Sequence, residues 1–110
     1  MKFLELAKML KEKEENQNAL LFIKCGAFFV AIEKDAIWLS KNLNFKLTCM
    51  TNKICKIGIP INSVYKYIDK LEKMSYSFVI YNYSKEIFLE NNQKYTESYR
   101  YRGKVIDYKY

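Results

Sequence analysis

Histidine is absent from this 110-residue chain, glycine occurs three times and proline once. Without an imidazole the usual general base is missing, and with it every Ser–His or Cys–His nucleophile arrangement. Three glycines leave no loop that could cradle phosphates: neither a GxxxxGK motif nor a GxGxxG motif occurs. The cysteines, Cys25, Cys49 and Cys55, are odd in number and lack CxxC spacing. A zinc site would need all three thiolates plus a carboxylate or water, so the residues argue against a metal or other cofactor. Three reduced thiols are expected instead, with Cys25 buried as a small hydrophobe. No segment approaches the roughly 18 apolar residues of a membrane span. Lys2 and Glu5 bring charge too early for a signal peptide. A cytoplasmic protein with no membrane partner is expected. The carboxylates that remain are scattered over predicted helices, and Glu33 and Asp35 read as acids placed in a first helical turn. The expectation is a chain that is not an enzyme.

Half of the residues are hydrophobic and 16% are aromatic, enough for one domain over 1–110 with a modest core. The net charge of +7 is unevenly placed. Residues 1–40 balance, whereas residues 41–73 set Lys41, Lys46, Lys53, Lys56, Lys66, Lys70 and Lys73 against only Asp69 and Glu72. The tail over 94–110 adds Lys94, Arg100, Arg102, Lys104 and Lys109 against Glu97 and Asp107. Such an excess is the electrostatic footprint expected of a partner for a polyanion, with nucleic acid foremost. A lysine-rich surface of purely compositional origin explains the charge equally well. Lysine outnumbering arginine favours contact with phosphates over reading of bases.

Periodicity supplies the elements. Phe3, Leu4, Leu6, Ala7, Met9 and Leu10 predict an amphipathic helix over 2–16, ended by Asn16-Gln17-Asn18. Residues 19–25 form a buried strand, Gly26 breaks it, and Phe28 to Ile32 returns as the second strand of a hairpin. If that strand is extended, Phe28 and Phe29 face opposite ways. Glu33 opens a helix to about Asn42, with Ala36, Leu39 and Leu43 inward and Ile37 or Trp38 at the edge. Lys46–Met50 and Ile54–Gly58 are predicted strands around a Thr51-Asn52-Lys53 loop, and Pro60 cannot extend a central strand. Asn62 or Ser63 caps a helix to about Ser75, carrying Val64, Tyr67, Ile68 and Leu71 inward. Ser77–Tyr81 is a strand, Asn82-Tyr83-Ser84 a turn and Lys85–Leu89 a further strand, and Asn91 to Thr96 is read as loose. From Tyr99 to Ile106 aromatic and basic residues alternate, so a strand there shows tyrosines on one face and arginines on the other. The fold class is α+β: one domain, a mixed β-sheet and about three α-helices.

The order of these motifs resembles the N-terminal mismatch-recognition domain of MutS DNA mismatch repair proteins, most strongly over residues 18–83. In that family a strand leads into Gly-Asp-Phe-Tyr-Glu, an Asp-Ala helix and a Leu-Thr strand start; here stand Gly26-Ala27-Phe28-Phe29-Val30, Asp35-Ala36 and Leu47-Thr48. The family's Gly-Ile/Val-Pro-Tyr-His-x-Val segment is matched by Gly58-Ile59-Pro60-Ile61-Asn62-Ser63-Val64. Its following strand is matched by Phe78-Val79-Ile80-Tyr81-Asn82. The resemblance implies that Phe28 is a wedge that enters the duplex and stacks on a mispaired base. The family's glutamate, which hydrogen-bonds that base, is Val30 here; its aspartate is Ala27 and its histidine Asn62. Mismatch discrimination of the usual kind is therefore in doubt, since valine offers a base no hydrogen bond.

Two functions follow. The first is a non-catalytic DNA-binding module with Phe28 at the duplex, Lys41, Lys46, Lys53, Lys56, Lys66 and Lys70 on phosphates, and the tail tyrosines with Arg100 and Arg102 against unpaired bases. For Phe28 the alternative is a core aromatic, and for the tail an edge strand with solvent-facing arginines. The second function is a protein-interaction adaptor that keeps the fold without the DNA probe, with Trp38 and exposed tyrosines as anchors. Small MutS-like proteins of this kind resemble accessory components found beside reverse transcriptases in retroelement systems. Under either function, a protein partner supplies any ATPase or catalytic activity.

Overall fold

In the computed structural model, which describes residues 3–49, 54–83 and 95–108, six strands form one mixed sheet. The chain runs α1 (Phe3–Glu12), β1 (Leu20–Cys25), β2 (Phe28–Ile32), α2 (Glu33–Leu43), β3 (Thr48–Cys49), β4 (Cys55–Pro60), α3 (Val64–Lys73), β5 (Phe78–Tyr83) and β6 (Tyr95–Tyr101). The strand order is β3-β4-β2-β1-β5-β6, with only the β1–β5 pair parallel. This is the α+β class that the hydrophobic periods predict.

Strand alternation sorts the core into two layers. Leu20, Phe22, Phe29, Ala31, Ile57, Ile59, Phe78 and Ile80 face α2 and α3, meeting Ala36, Trp38, Leu39, Val64 and Leu71. Leu21, Ile23, Val30, Ile32, Val79 and Tyr81 face the other way and are covered by Leu6, Ala7 and Leu10 of α1. Burying both faces explains why β1 reads as a continuous apolar run rather than an alternating one. The α1 layer stops short of β4, leaving Lys56, Gly58 and Pro60 exposed on that face while Ile57 and Ile59 are buried on the other.

Several boundaries differ from the sequence reading, each for a local reason. The first helix ends at Glu12 and continues as a 3-10 turn over Glu14–Asn16. Asn16 is wholly buried there, its amide donating to the Leu10 carbonyl (2.7 Å) and to the Tyr81 hydroxyl (3.2 Å). Trp38 is buried, 5.1 Å from the Tyr76 ring, instead of lying at the edge. Residues Ile61–Ser63 form a 3-10 turn, and neither Asn62 nor Ser63 caps α3 by a side-chain bond. Asn82 and Tyr83 continue β5 rather than turning, because β6 pairs with them at Thr96 and Tyr95. The last strand accordingly starts at Tyr95 and ends at Tyr101, so Tyr95 and Thr96 belong to it. The predicted strand Lys85–Leu89 and most of the Asn91–Thr96 segment lie outside the described residues.

The thiols also depart from expectation. Cys49 and Cys55 are directly paired across β3 and β4 and are joined as a disulfide, with Cα atoms 3.9 Å apart. Cys25 is free and exposed, because it ends β1 beyond the reach of α1.

Candidate nucleic-acid interface

The β1–β2 hairpin turns over two residues, Gly26 and Ala27, with Gly26 at φ +60°. A positive φ at the first central position is what a tight type II′ hairpin requires, and glycine adopts it without steric cost. The tip is tied to the chain beyond β4, where the Ile61 amide donates to the Ala27 carbonyl at 3.1 Å. Immediately after the turn, consecutive phenylalanines part company. Phe29 is 5% exposed and points into the core beneath α3, whereas Phe28 is 47% exposed. Alternation supplies the direction, and the absence of α1 above this end supplies the exposure.

Phe28 pairs with Cys25 on one side and with Pro60 on the other. Its ring lies over Gly58: a Cβ built at that glycine would stand 3.4 Å from Phe28 Cδ1 and 3.7 Å from Cγ. The ring thus lies beside β4 with about half of the residue's surface left exposed. Val30, two residues on and on the same face, is buried in the layer beneath α1. The strand-packing reading of this residue holds.

The basic residues nominated from the sequence do not form one patch. Lys56 stands on the Phe28 face of β4, opposite Thr48 and four positions before Pro60. Lys66 and Lys70 are exposed on α3, on the opposite side of the sheet, with their ammonium groups 5.8 and 5.5 Å from the Tyr67 ring. Lys41 is exposed in the last turn of α2, and Lys46 is exposed in the segment after it. The neighbour of Lys46, Phe45, packs on Tyr67 at 4.5 Å. Lys53 lies outside the described residues.

The tail residues have other occupations. Arg100 has only 8% of its side chain exposed. Its guanidinium donates to the Glu97 carboxylate, to the Glu15 carbonyl at 2.9 Å and to the Asn16 side-chain oxygen. It fastens β6 to the turn after α1, so it is not a solvent-facing arginine. Arg102 is exposed. Tyr99 and Tyr101 share the inner face of β6, both with ring centroids 5.6 Å from Phe78. The Tyr99 hydroxyl donates to Glu72, and that bond, with smaller contributions from desolvation and the carboxylate charge, pushes its phenol above the ordinary range.

At the other end of the same hairpin is a buried polar cluster that local patterns do not disclose. Asp35 is 2% exposed. It accepts from Lys11 Nζ at 2.9 and 3.0 Å, from the Leu21 amide at 3.0 Å, and from the Tyr108 hydroxyl. Lys11 also donates to Tyr108 (2.8 Å) and to the Ala19 carbonyl. Burial pushes the Asp35 carboxyl up, against the pull of Lys11, Tyr108 and the Leu21 amide. Burial likewise pulls the Lys11 ammonium down. With its bonds satisfied, this cluster fixes α1, α2, β1 and the C-terminal segment to one another, Asp35 buried and Lys11 partly exposed. Among the described residues no group of three or more Cys, Asp or Glu could hold a metal ion, and no helix is long and apolar enough to cross a membrane.

The sequence pattern of MutS domain I matches residues 6–100. The DNA mismatch repair protein MutS of Finegoldia magna is 36% identical over 85 residues, covering 73% of this chain and 10% of the relative. The corresponding protein of Bacillus subtilis is 36% identical over 75 residues, covering 64% of this chain and 9% of its own length. That of Prochlorococcus marinus is 36% identical over 73 residues, covering 62% and 8%. The chain spans about a tenth of the length of these curated relatives.

Proposed function

The chain belongs to the MutS domain I family, and we propose that it is a non-catalytic nucleic-acid-binding module that engages DNA through Phe28. The observation that carries this reading is the contrast between Phe28 and Phe29. An aromatic ring held half-exposed at a hairpin tip tied by the Ile61–Ala27 hydrogen bond, while its neighbour is buried, is placed to stack on a base. The energetic logic is that an apolar wedge offsets part of the cost of unstacking a base step. Lys56 on the same face supplies a cation for a neighbouring phosphate. The curated relatives are DNA mismatch repair proteins by name, which supports DNA as the polymer.

Recognition of the mispaired base itself is weakened in this reading. The position that would accept a hydrogen bond from the base is Val30, apolar and packed under α1. The module therefore senses how easily a base step opens rather than which bases are paired. Any ATP hydrolysis belongs to a protein partner, and the module acts in the cytoplasm.

The competing adaptor reading loses one of its anchors. Trp38, named as a possible contact, is core. Tyr65 remains, 77% exposed on α3 beside a groove of ≈ 540 Å³ lined by Ile61, Ile68 and Tyr99. Fluorescence anisotropy with labelled homoduplex, mismatched duplex, single-stranded DNA and DNA–RNA hybrid across a salt series separates the two. The DNA module binds mismatched or unpaired sites more tightly than homoduplex, with an affinity that falls steeply with salt. Equally weak binding to all four substrates would reject it in favour of the adaptor.

A further inference from the structure

We propose that the groove between α3 and the β5–β6 end of the sheet is a docking site for a protein partner, which enters it with an arginine side chain flanked by apolar residues. This surface is separate from the one assigned to DNA. It lies under α3, on the side of the sheet that Phe29 faces, whereas Phe28 faces the other way. The groove has a volume of ≈ 540 Å³, inside the range of roughly 300–1,000 Å³ usual for binding clefts. Phe29, Val64 and Ile80 are buried at its base. Ile61, Tyr65 and Tyr99 stand around them, 37%, 77% and 44% exposed. Among the described residues six large hydrophobic residues are exposed, and three of them meet at this groove. The exposed apolar surface is therefore gathered rather than scattered, as it is at sites of protein contact.

Charge identifies the partner's chemistry. The chain carries 19 Lys and Arg against 12 Asp and Glu, yet the described residues lining this groove include no cation and one carboxylate, Glu72. That carboxylate accepts from the Tyr99 hydroxyl, which ties it to the β6 wall. Tyr65, Ile68 and Glu72 recur at i, i+3 and i+7, so one side of α3 faces the groove. Lys66 and Lys70 lie on another side of the helix, over the Tyr67 ring. Lys24, beside Phe29 on the same side of the sheet, stands outside the lining. A nucleic-acid strand would find no cation for its phosphates here and would meet a like charge. A guanidinium gains the Glu72 carboxylate together with the faces of Tyr65 and Tyr99. Arginine suits the groove better than lysine, because its planar group stacks on aromatic rings and is more weakly hydrated. Apolar neighbours on the partner are needed to take Ile61 and Ile68 out of water.

Amide-detected NMR titrations of the full chain test the proposal. The probes are blocked peptides, acetyl-Ala-Leu-Xaa-Leu-Ala-amide, in which Xaa is arginine, its uncharged isostere citrulline, or glutamate. The arginine peptide should shift the amides of Ile61, Tyr65, Ile68 and Tyr99 and leave those of Lys56 and Gly58 in place. It should bind about 5-fold more tightly than the citrulline peptide, the worth of one cation–aromatic contact. The glutamate peptide should bind least. Glu72→Gln, which keeps a partner for the Tyr99 hydroxyl, should remove most of the preference for arginine over citrulline. Tyr65→Ala, at a residue 77% exposed, should weaken the arginine peptide by about 5-fold with the melting temperature unchanged. Phe28→Ala should leave the peptide affinity as it is, so the groove stands or falls apart from DNA stacking. Absence of a saturable shift at the groove, equal affinity for the three peptides, or an arginine preference that survives both Glu72→Gln and Tyr65→Ala would overturn the docking site. If Glu72→Gln does not fold, Tyr65→Ala and the citrulline peptide still decide. Tighter binding of deoxynucleosides than of the arginine peptide would overturn it in favour of a base. Shifts of the same amides on raising the concentration of the protein alone would overturn it in favour of a second copy of the chain.

Discussion

The two ends of the β1–β2 hairpin lie a few residues apart yet are built to opposite plans. At one end Leu21 is fixed by its amide to Asp35, which is itself held by Lys11 and Tyr108 in a buried, fully bonded cluster. At the other, four strand residues away, Cys25 and Phe28 stand beyond the cover of α1 with their side chains in solvent. The closed end unites elements that are far apart in the chain, and the open end displays an aromatic ring from a turn of two residues. Rigidity and exposure are thereby combined in one hairpin. A binding group gains from being carried on an element whose other end cannot move, because less ordering is needed when the ligand arrives.

The largest effects are expected at the closed end. Asp35→Ala strands the Lys11 ammonium in the interior, and a loss of about 3–5 kcal/mol in chemical denaturation is expected. Lys11→Met should cost a similar amount by stranding the carboxylate. Because burial opposes the charged form of both groups, the Lys11→Met/Asp35→Leu double variant should lose far less than the sum of its parts. Additive losses would mean that the two groups do not act as a pair.

The neighbouring phenylalanines give a second contrast. Phe29→Ala should cost about 3–5 kcal/mol by opening a cavity beneath α3, whereas Phe28→Ala should cost about 1 kcal/mol or less, read from paired urea titrations. Equal losses would place Phe28 in the core. A third test lies in the turn that returns the C-terminal segment to the closed end. A Cβ at Gly103 would stand 2.2 Å from the Ser75 carbonyl oxygen and 2.7 Å from Tyr101. Gly103→Ala should therefore destabilise by about 1–3 kcal/mol, with the Gly26→Ala cost confined to backbone strain because nothing lies within 4 Å of it. At the open end, Lys56→Ala should lower the slope of log affinity against log salt by about 1 while barely moving the melting temperature. An unchanged slope would remove Lys56 from the interface.

Much of this contrast is legible in the sequence, and most of what is not shares a cause. Gly26 marked the hairpin, the alternation after it separated Phe28 from Phe29, and Pro60 marked the end of β4, because each is a property of a few consecutive residues. Asp35 read as a first-turn acid since its partner Lys11 lies 24 residues away and Tyr108 lies 73 away. Arg100 read as a free cation because nothing near it in sequence points to Asn16, 84 residues distant. The Cys49–Cys55 bond was unforeseen for a different reason: their spacing fits a hairpin with or without a covalent link. Gly58 stands in the Gly58-Ile59-Pro60 segment of the sequence, but its closeness to Phe28 follows only from the β2–β4 register. Alternation and turn chemistry disclose the open end, and only tertiary contact discloses the closed one.

The most direct measurement is the affinity of wild type and Phe28→Ala for a mismatched duplex and its matched counterpart, by anisotropy at a fixed low salt concentration, with melts of both proteins alongside. Wild type should prefer the mismatched duplex, and Phe28→Ala should lose about 1–3 kcal/mol on it while remaining folded. Indistinguishable affinities for the folded wild type and the folded Phe28→Ala variant would contradict it, leaving the ring at the hairpin tip without a part in binding DNA.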